Sequence, residues 1–102
     1  MAAPVKFAKT VAVPGTAEPL FAAPIAARRF WIRAGKAGGP NAGNVFLGDS
    51  AVHHTTSRQM LLEPGDYWEP PGHDSKDRDL AAIYVDADAA GDGVVGEYWP
   101  VG

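Results

Sequence analysis

Apolar and polar positions alternate with period two along residues 26–34, "AARRFWIRA". Ala26, Arg28, Phe30, Ile32 and Ala34 fall on one face of an extended segment, and Ala27, Arg29, Trp31 and Arg33 on the other. Ala27, Phe30, Trp31 and Ala34 also fit helical spacing, but the short length, the flanking Pro24 and Gly35, and the aromatic and β-branched content favour a strand. The same reasoning places a strand in "VKFAKTVAV" before the turn "PGTAEP", and a short one at Val45–Gly48 inside "NAGNVFLGDS". No helix follows that decapeptide's glycines, so it reads as a strand between two turns and not as a phosphate-cradling loop. "RQMLLEPGDYWEPPG" reads as a strand, a turn at Pro64 and Gly65, and a second strand whose prolines suggest a sheet edge. "DLAAIYVDAD" and "VVGEYWPV" flank "AAGDG", which suits a hairpin loop. The first of them also fits a helix through Leu80, Ile83, Tyr84 and Ala87, with Ile-Tyr-Val favouring the strand.

These elements predict an all-β fold: an antiparallel β-sandwich, jelly-roll-like, of roughly seven to nine short strands. Phe30, Ile32, Val45, Leu47, Leu62, Ile83, Val85 and Val95 are expected in its core. Twelve glycines and nine prolines in 102 residues reinforce the reading, since they cut regular elements short. One domain is expected, with residues 1–26 as an Ala/Pro-rich arm and first strand and residues 27–102 as the body. Much of the 46% hydrophobic content is alanine, so the core is expected to be thin. There are no cysteines, which removes disulfides and thiolate metal sites. No apolar run approaches the roughly 18 residues of a membrane span, and Pro4 and Lys6 stand where a signal peptide would be apolar. The chain therefore reads as made in the cytoplasm, with no membrane partner.

Charge is unevenly distributed. Residues 1–51 hold six Lys/Arg against two Asp/Glu, and residues 52–102 hold three against ten. Either the halves interleave and the charges pair, or the molecule has a basic and an acidic side suited to copies of itself or to a charged scaffold. The basic set is small and lacks a continuous stripe, which argues against nucleic acid.

Candidate chemistry is sparse. "DADAAGDGVVGE", Asp86 to Glu97, matches a calcium loop at its first, third, sixth and twelfth positions, but Ala90 occupies a ligand position and strand-like flanks would carry Glu97 away. His53, His54 and His73 invite a metal reading. Neighbours on a strand point to opposite faces, however, so His53 and His54 are not expected to share an ion. Asp74, Asp77 and Asp79 with Lys76 and Arg78 form a charged loop with no apolar pocket to separate two carboxyl pKa values, and Ser50 in "GDSA" lacks the elbow of an activated serine. No catalytic, metal or cofactor residues are assigned, and the chain does not read as an enzyme. Trp31, Trp68 and Trp99 read as core or interface anchors, with a carbohydrate- or calcium-binding module as the rival class.

"NAGNVFLGDSAV", "LLEPGD" and "DLAAIYVDADAAGDGV" with a terminal aromatic strand resemble small all-β proteins encoded among the virion genes of tailed bacteriophages. In that group an Asn-x-Gly-x-Val-aromatic-x-Gly strand precedes a Leu-x-Pro-Gly turn and a final Asp-Leu…Tyr-Val hairpin. The likeness covers roughly residues 26–98, and "RQMLLEPGDYWEPPGHDSKD" departs from it by its proline and charge. It implies a virion structural protein: a capsid decoration or cement protein, or else a head-fibre, connector or tail component. The implied partners are the major capsid protein or another virion protein, and copies of itself in a homo-oligomer or symmetric array, with residues 1–26 lying partly against the shell. The matched positions are turn glycines and core apolars, so no functional residue carries over.

Overall fold

A computed structural model describes residues 3–70 and 78–101. Two antiparallel sheets pack face to face. The first contains β1 (Val5–Thr10), β3 (Ala26–Ala34), β6 (Tyr67–Trp68), β7 (Arg78–Asp79) and β9 (Gly93–Pro100), in the order β1-β9-β3-β6 with β7 also on β3. The second contains β2 (Glu18–Pro19), β4 (Val45–Gly48), β5 (Met60–Leu62) and β8 (Tyr84–Ala87), in the order β2-β8-β4-β5. One 3-10 turn, Leu80–Ala82, leads into β8, so the helical spacing seen there is realised for a single turn only. The chain is thus an all-β sandwich of short strands, and no helix among the described residues is long and apolar enough to cross a membrane.

The core fills the space between the sheets. Phe30, Ile32, Val45, Leu47, Leu62 and Val85 are buried as expected, joined by Val11, Leu20, Leu80, Ala87 and Val94. Two expectations are corrected: Ile83 is only partly buried, and Val95 faces outward because Val94 takes the inward position on β9. The face assignment on β3 holds from Phe30 onward and fails before it. Ala27 pairs with Pro100 and Arg29 with Trp99, so Arg28 is an extra residue in a β-bulge that flips the alternation. The bulge leaves Arg28 and Arg29 both exposed while Ala27 turns into the core. Strict alternation would have buried Arg28.

Two turns, the second of them expected to close a hairpin, carry the chain from one sheet to the other. Residues 63–66 link β5 of the second sheet to β6 of the first, with Gly65 at φ +90° and the Gly65 amide donating to Ala34 O at 3.0 Å. Residues 88–92 likewise link β8 to β9, with Gly91 at φ +86° and its amide donating to Val11 O at 2.8 Å. β6 is an edge strand, as its prolines suggest.

The N-terminal segment belongs to the sandwich. β1 pairs with β9 over six residues, and Val11 and Leu20 lie in the core. Phe7 lies opposite Gly96 and packs with Phe21 and Tyr98 at ring-centroid distances of 5.3 and 6.3 Å. The two charge-biased halves interleave in one fold, and Lys9–Glu18 (2.9 Å), Arg29–Glu69 (2.7 Å) and Lys36–Asp92 (3.4 Å) form ion pairs.

Candidate functional site

The two outer faces of the sandwich differ. On the second sheet, Phe46 and Asp86 are cross-strand neighbours pointing away from the core, yet they are 1% and 0% exposed. Residues 49–59 roof them: the Arg58 guanidinium lies 5.8 Å from the Phe46 ring centroid, and the His54 amide donates to Asp86 Oδ2 at 2.8 Å. The outer face of the first sheet has no such roof among the described residues.

On that open face the register sets side chains in rows. Lys6, Glu97 and Trp31 form one row across β1, β9 and β3, and Ala8, Val95, Arg33 and Tyr67 form the next, reaching β6. Trp99 and Arg29 form a third, where the Arg29 guanidinium sits 4.8 Å from the Trp99 ring centroid and its Nε donates to Glu69 Oε2 at 2.7 Å. Trp31 Nε1 donates to Glu97 Oε1 at 3.2 Å, which ties the indole to its cross-strand neighbour. Arg33 and Lys6 are exposed and pair with no acid among the described residues, and Tyr67 is 69% exposed. A shallow groove of about 620 Å³ runs along Lys6, Trp31, Arg33, Val95 and Glu97. Trp31 and Trp99 are therefore surface residues, whereas Trp68 turns inward against Phe30 at 5.9 Å. Alternation alone had placed Trp31 and Arg33 together; the addition of Lys6, Trp99 and Tyr67 depends on strand order, which a single sequence does not display.

His53 and His54 are in a turn between β4 and β5 and not on a strand, so the alternation that separated them does not apply. Their rings stack at 4.9 Å with 27° between planes. With Asp86 they bring three ligand-type atoms within 4.8 Å of one another. The Asp86 carboxylate accepts from the amides of Gly15 (2.9 and 3.2 Å) and His54 (2.8 Å), while Asp88 Oδ1 lies 3.1 Å from His54 Nδ1.

The other acids of the calcium-like stretch go elsewhere. Asp92 accepts from the amides of Ala42 and Gly43, and Glu97 holds Trp31; β8 and β9 supply the strand flanks. Ser50 is an exposed turn residue, and neighbouring Asp49 caps that turn by accepting from Gln59 Nε2 and the Ala51 amide, both at 2.8 Å. Those two bonds, the Gln59 one first, hold the Asp49 carboxyl below its ordinary pKa. The third candidate histidine, His73, and Asp74, Lys76 and Asp77 of the charged loop lie outside the described residues; Asp79 caps the 3-10 turn through the Ala81 amide. Comparison of the chain with protein-family models, curated proteins and solved structures finds no match.

Proposed function

We propose that the protein is a non-catalytic assembly module of a tailed-phage virion, a capsid decoration or cement protein that docks on the head shell through the open face of its first sheet. The observation that carries this reading is the unequal treatment of the two outer faces. One is covered by the chain's own loop, and the other, which no loop covers among the described residues, presents exposed Tyr67, Arg33 and Lys6 beside half-buried Trp31 and Trp99. Aromatic and arginine side chains are the usual anchors of protein interfaces, and a face bearing Lys6 and Arg33 with no acid paired to either among the described residues would complement an acidic strip on the major capsid protein. The motifs resembling phage virion proteins supply the kind of partner.

Size explains why such a protein acts in an array. Strands spaced about 4.8 Å apart and about 25 Å long make a platform on the order of 400 Å², about half of the roughly 800 Å² per partner in a standard interface. A single copy therefore binds weakly. Many copies on a repeating shell, each touching its neighbours, hold together through effective concentration. The integration of β1 changes the role of the N-terminal segment: residues 5–10 serve the fold, and the docking contact moves to the exposed side of the same strand.

The test is to add purified protein to phage heads lacking it and to measure bound copies. Saturable binding that is lost in Trp31→Ala and Arg33→Glu supports the proposal. Recovery of the native protein in tails, with none on heads, assigns it instead to the tail.

A further inference from the structure

We propose that His53, His54 and Asp86 form a binding site for a divalent first-row transition ion, with Zn²⁺ the best match, in the space beside Gly15 where the 49–57 turn meets β8. This site lies on the sheet opposite the docking face and does not depend on that face's role.

Four features build it. Asp86 is fully buried and fixed by backbone amides from two separate loops, so one ligand is pre-positioned; its Oδ1 accepts only from Gly15 and keeps a lone pair. His54 is set in the tautomer a metal needs: a carboxylate only accepts, so the Nδ1 facing Asp88 carries the proton and Nε2 presents its lone pair. Gly15 supplies the room, because a Cβ there would lie 3.3 Å from His53 Nε2 and 3.9 Å from His54 Nε2, so both nitrogens border the same space. Its φ of +94° also disfavours any side chain. Finally, two imidazoles and a carboxylate, with no thiolate in the chain, select ions of the zinc class over oxygen-seeking calcium or magnesium.

His53 is the ligand that must change. Its Nδ1 accepts from the amides of Thr55 (3.1 Å) and Thr56 (3.3 Å), which places the neutral ring's proton on Nε2. Metal capture at Nε2 requires that proton to leave and one to be taken up at Nδ1, with no net change in charge. The Nδ1–H then donates to Thr55 Oγ1, already 3.1 Å away, and the two exposed amides turn to water. The ligand atoms, which lie within 4.8 Å of one another, must also close to about 3.4 Å, the edge of a tetrahedron with bonds of about 2.0–2.1 Å. The half-buried rings sit on an exposed turn that permits this. The site is thus one-half preset and one-half induced.

The experiment titrates Zn²⁺ into untagged protein by calorimetry and follows the histidine rings by ¹⁵N NMR. The expected result is one ion per chain, with the proton of His54 retained on Nδ1 and that of His53 moved from Nε2 to Nδ1. His54→Ala and Asp86→Asn are expected to weaken binding by roughly tenfold or more. Circular dichroism checks that each variant folds; if Asp86→Asn does not, His54→Ala decides. No binding at saturating Zn²⁺, affinity unchanged in His54→Ala, an unmoved His53 proton, or one ion shared by two chains would each overturn the proposal.

Discussion

Asn41 and Gly93 exchange two hydrogen bonds: Asn41 Nδ2 donates to Gly93 O at 2.8 Å, and the Gly93 amide donates to Asn41 Oδ1 at 3.0 Å. The side chain thereby acts as a strand neighbour for the first residue of β9: it pairs the buried Gly93 amide and shares the Gly93 carbonyl with the Gly35 amide, which donates at 3.0 Å. This is why the "NAGN" segment begins with an amide. Asn41→Ala leaves the Gly93 amide unpaired and its carbonyl with the Gly35 amide alone, and should cost about 1–3 kcal/mol. Asn41→Asp loses the donor and sets a carboxylate against a carbonyl, so it should cost at least as much at neutral pH. Urea unfolding checks both, and losses below about 0.5 kcal/mol would contradict the role.

Asp92 ties the same loop from the other side and gives the fold a pH dependence. It is 1% exposed, and burial works to raise its pKa, but the amides of Ala42 (2.9 Å) and Gly43 (2.8 Å) and the Lys36 ammonium outweigh burial and hold the carboxyl below its ordinary value. A carboxyl with a lower pKa in the folded state adds stability that is present above the unfolded value of about 3.9 and is lost as pH falls through the folded value. Acid unfolding of the wild type should therefore steepen below about pH 4, and Asp92→Asn should flatten that limb. An unchanged acid limb would contradict the assignment.

Gly96 is required by close approach and not by its dihedral angle. A Cβ there would run into the Trp31 carbonyl and the Phe7 ring that covers this position. Because one obstacle is backbone, side-chain movement does not relieve it, and Gly96→Ala should cost about 2–4 kcal/mol. Thermal and urea unfolding read the loss; a neutral variant would mean that β1, β9 and β3 are not paired in this register.

The register of β9 has its own test. Val94 is fully buried and Val95 lies on the outer face, so Val94→Ala should cost about 1–3 kcal/mol and Val95→Ala less than about 0.5. The reverse order would place the sheet one residue out of step.

Strand positions and the inward faces of Phe30, Ile32, Val45, Leu47, Leu62 and Val85 were legible because alternation and turn residues are local signals. Three features were not. The Arg28 bulge inserts one residue that no local pattern marks, and it reverses the faces before Phe30. The turns at Gly65 and Gly91 have hairpin composition, but whether a turn closes a hairpin or crosses the sandwich depends on which distant strand pairs with each arm. Val45 and Leu62, far apart in sequence, pair across β4 and β5 and draw the His53–His54 turn over Asp86. That juxtaposition brings two adjacent histidines to one point, which strand alternation forbade.

The proposed attachment of this protein to a phage head through the open face of the first sheet is best tested by the equilibrium binding of wild type and of Arg33→Glu to purified heads lacking the protein, with both chains matched in unfolding midpoint. Arg33 is exposed and makes no ion pair among the described residues, so the substitution should leave the fold intact while reversing the charge of the face. The account predicts saturable wild-type binding at a fixed number of copies per head and a loss of at least tenfold in affinity for the variant, a difference of about 1.4 kcal/mol. Equal binding by the two proteins, or no binding by either, would contradict it.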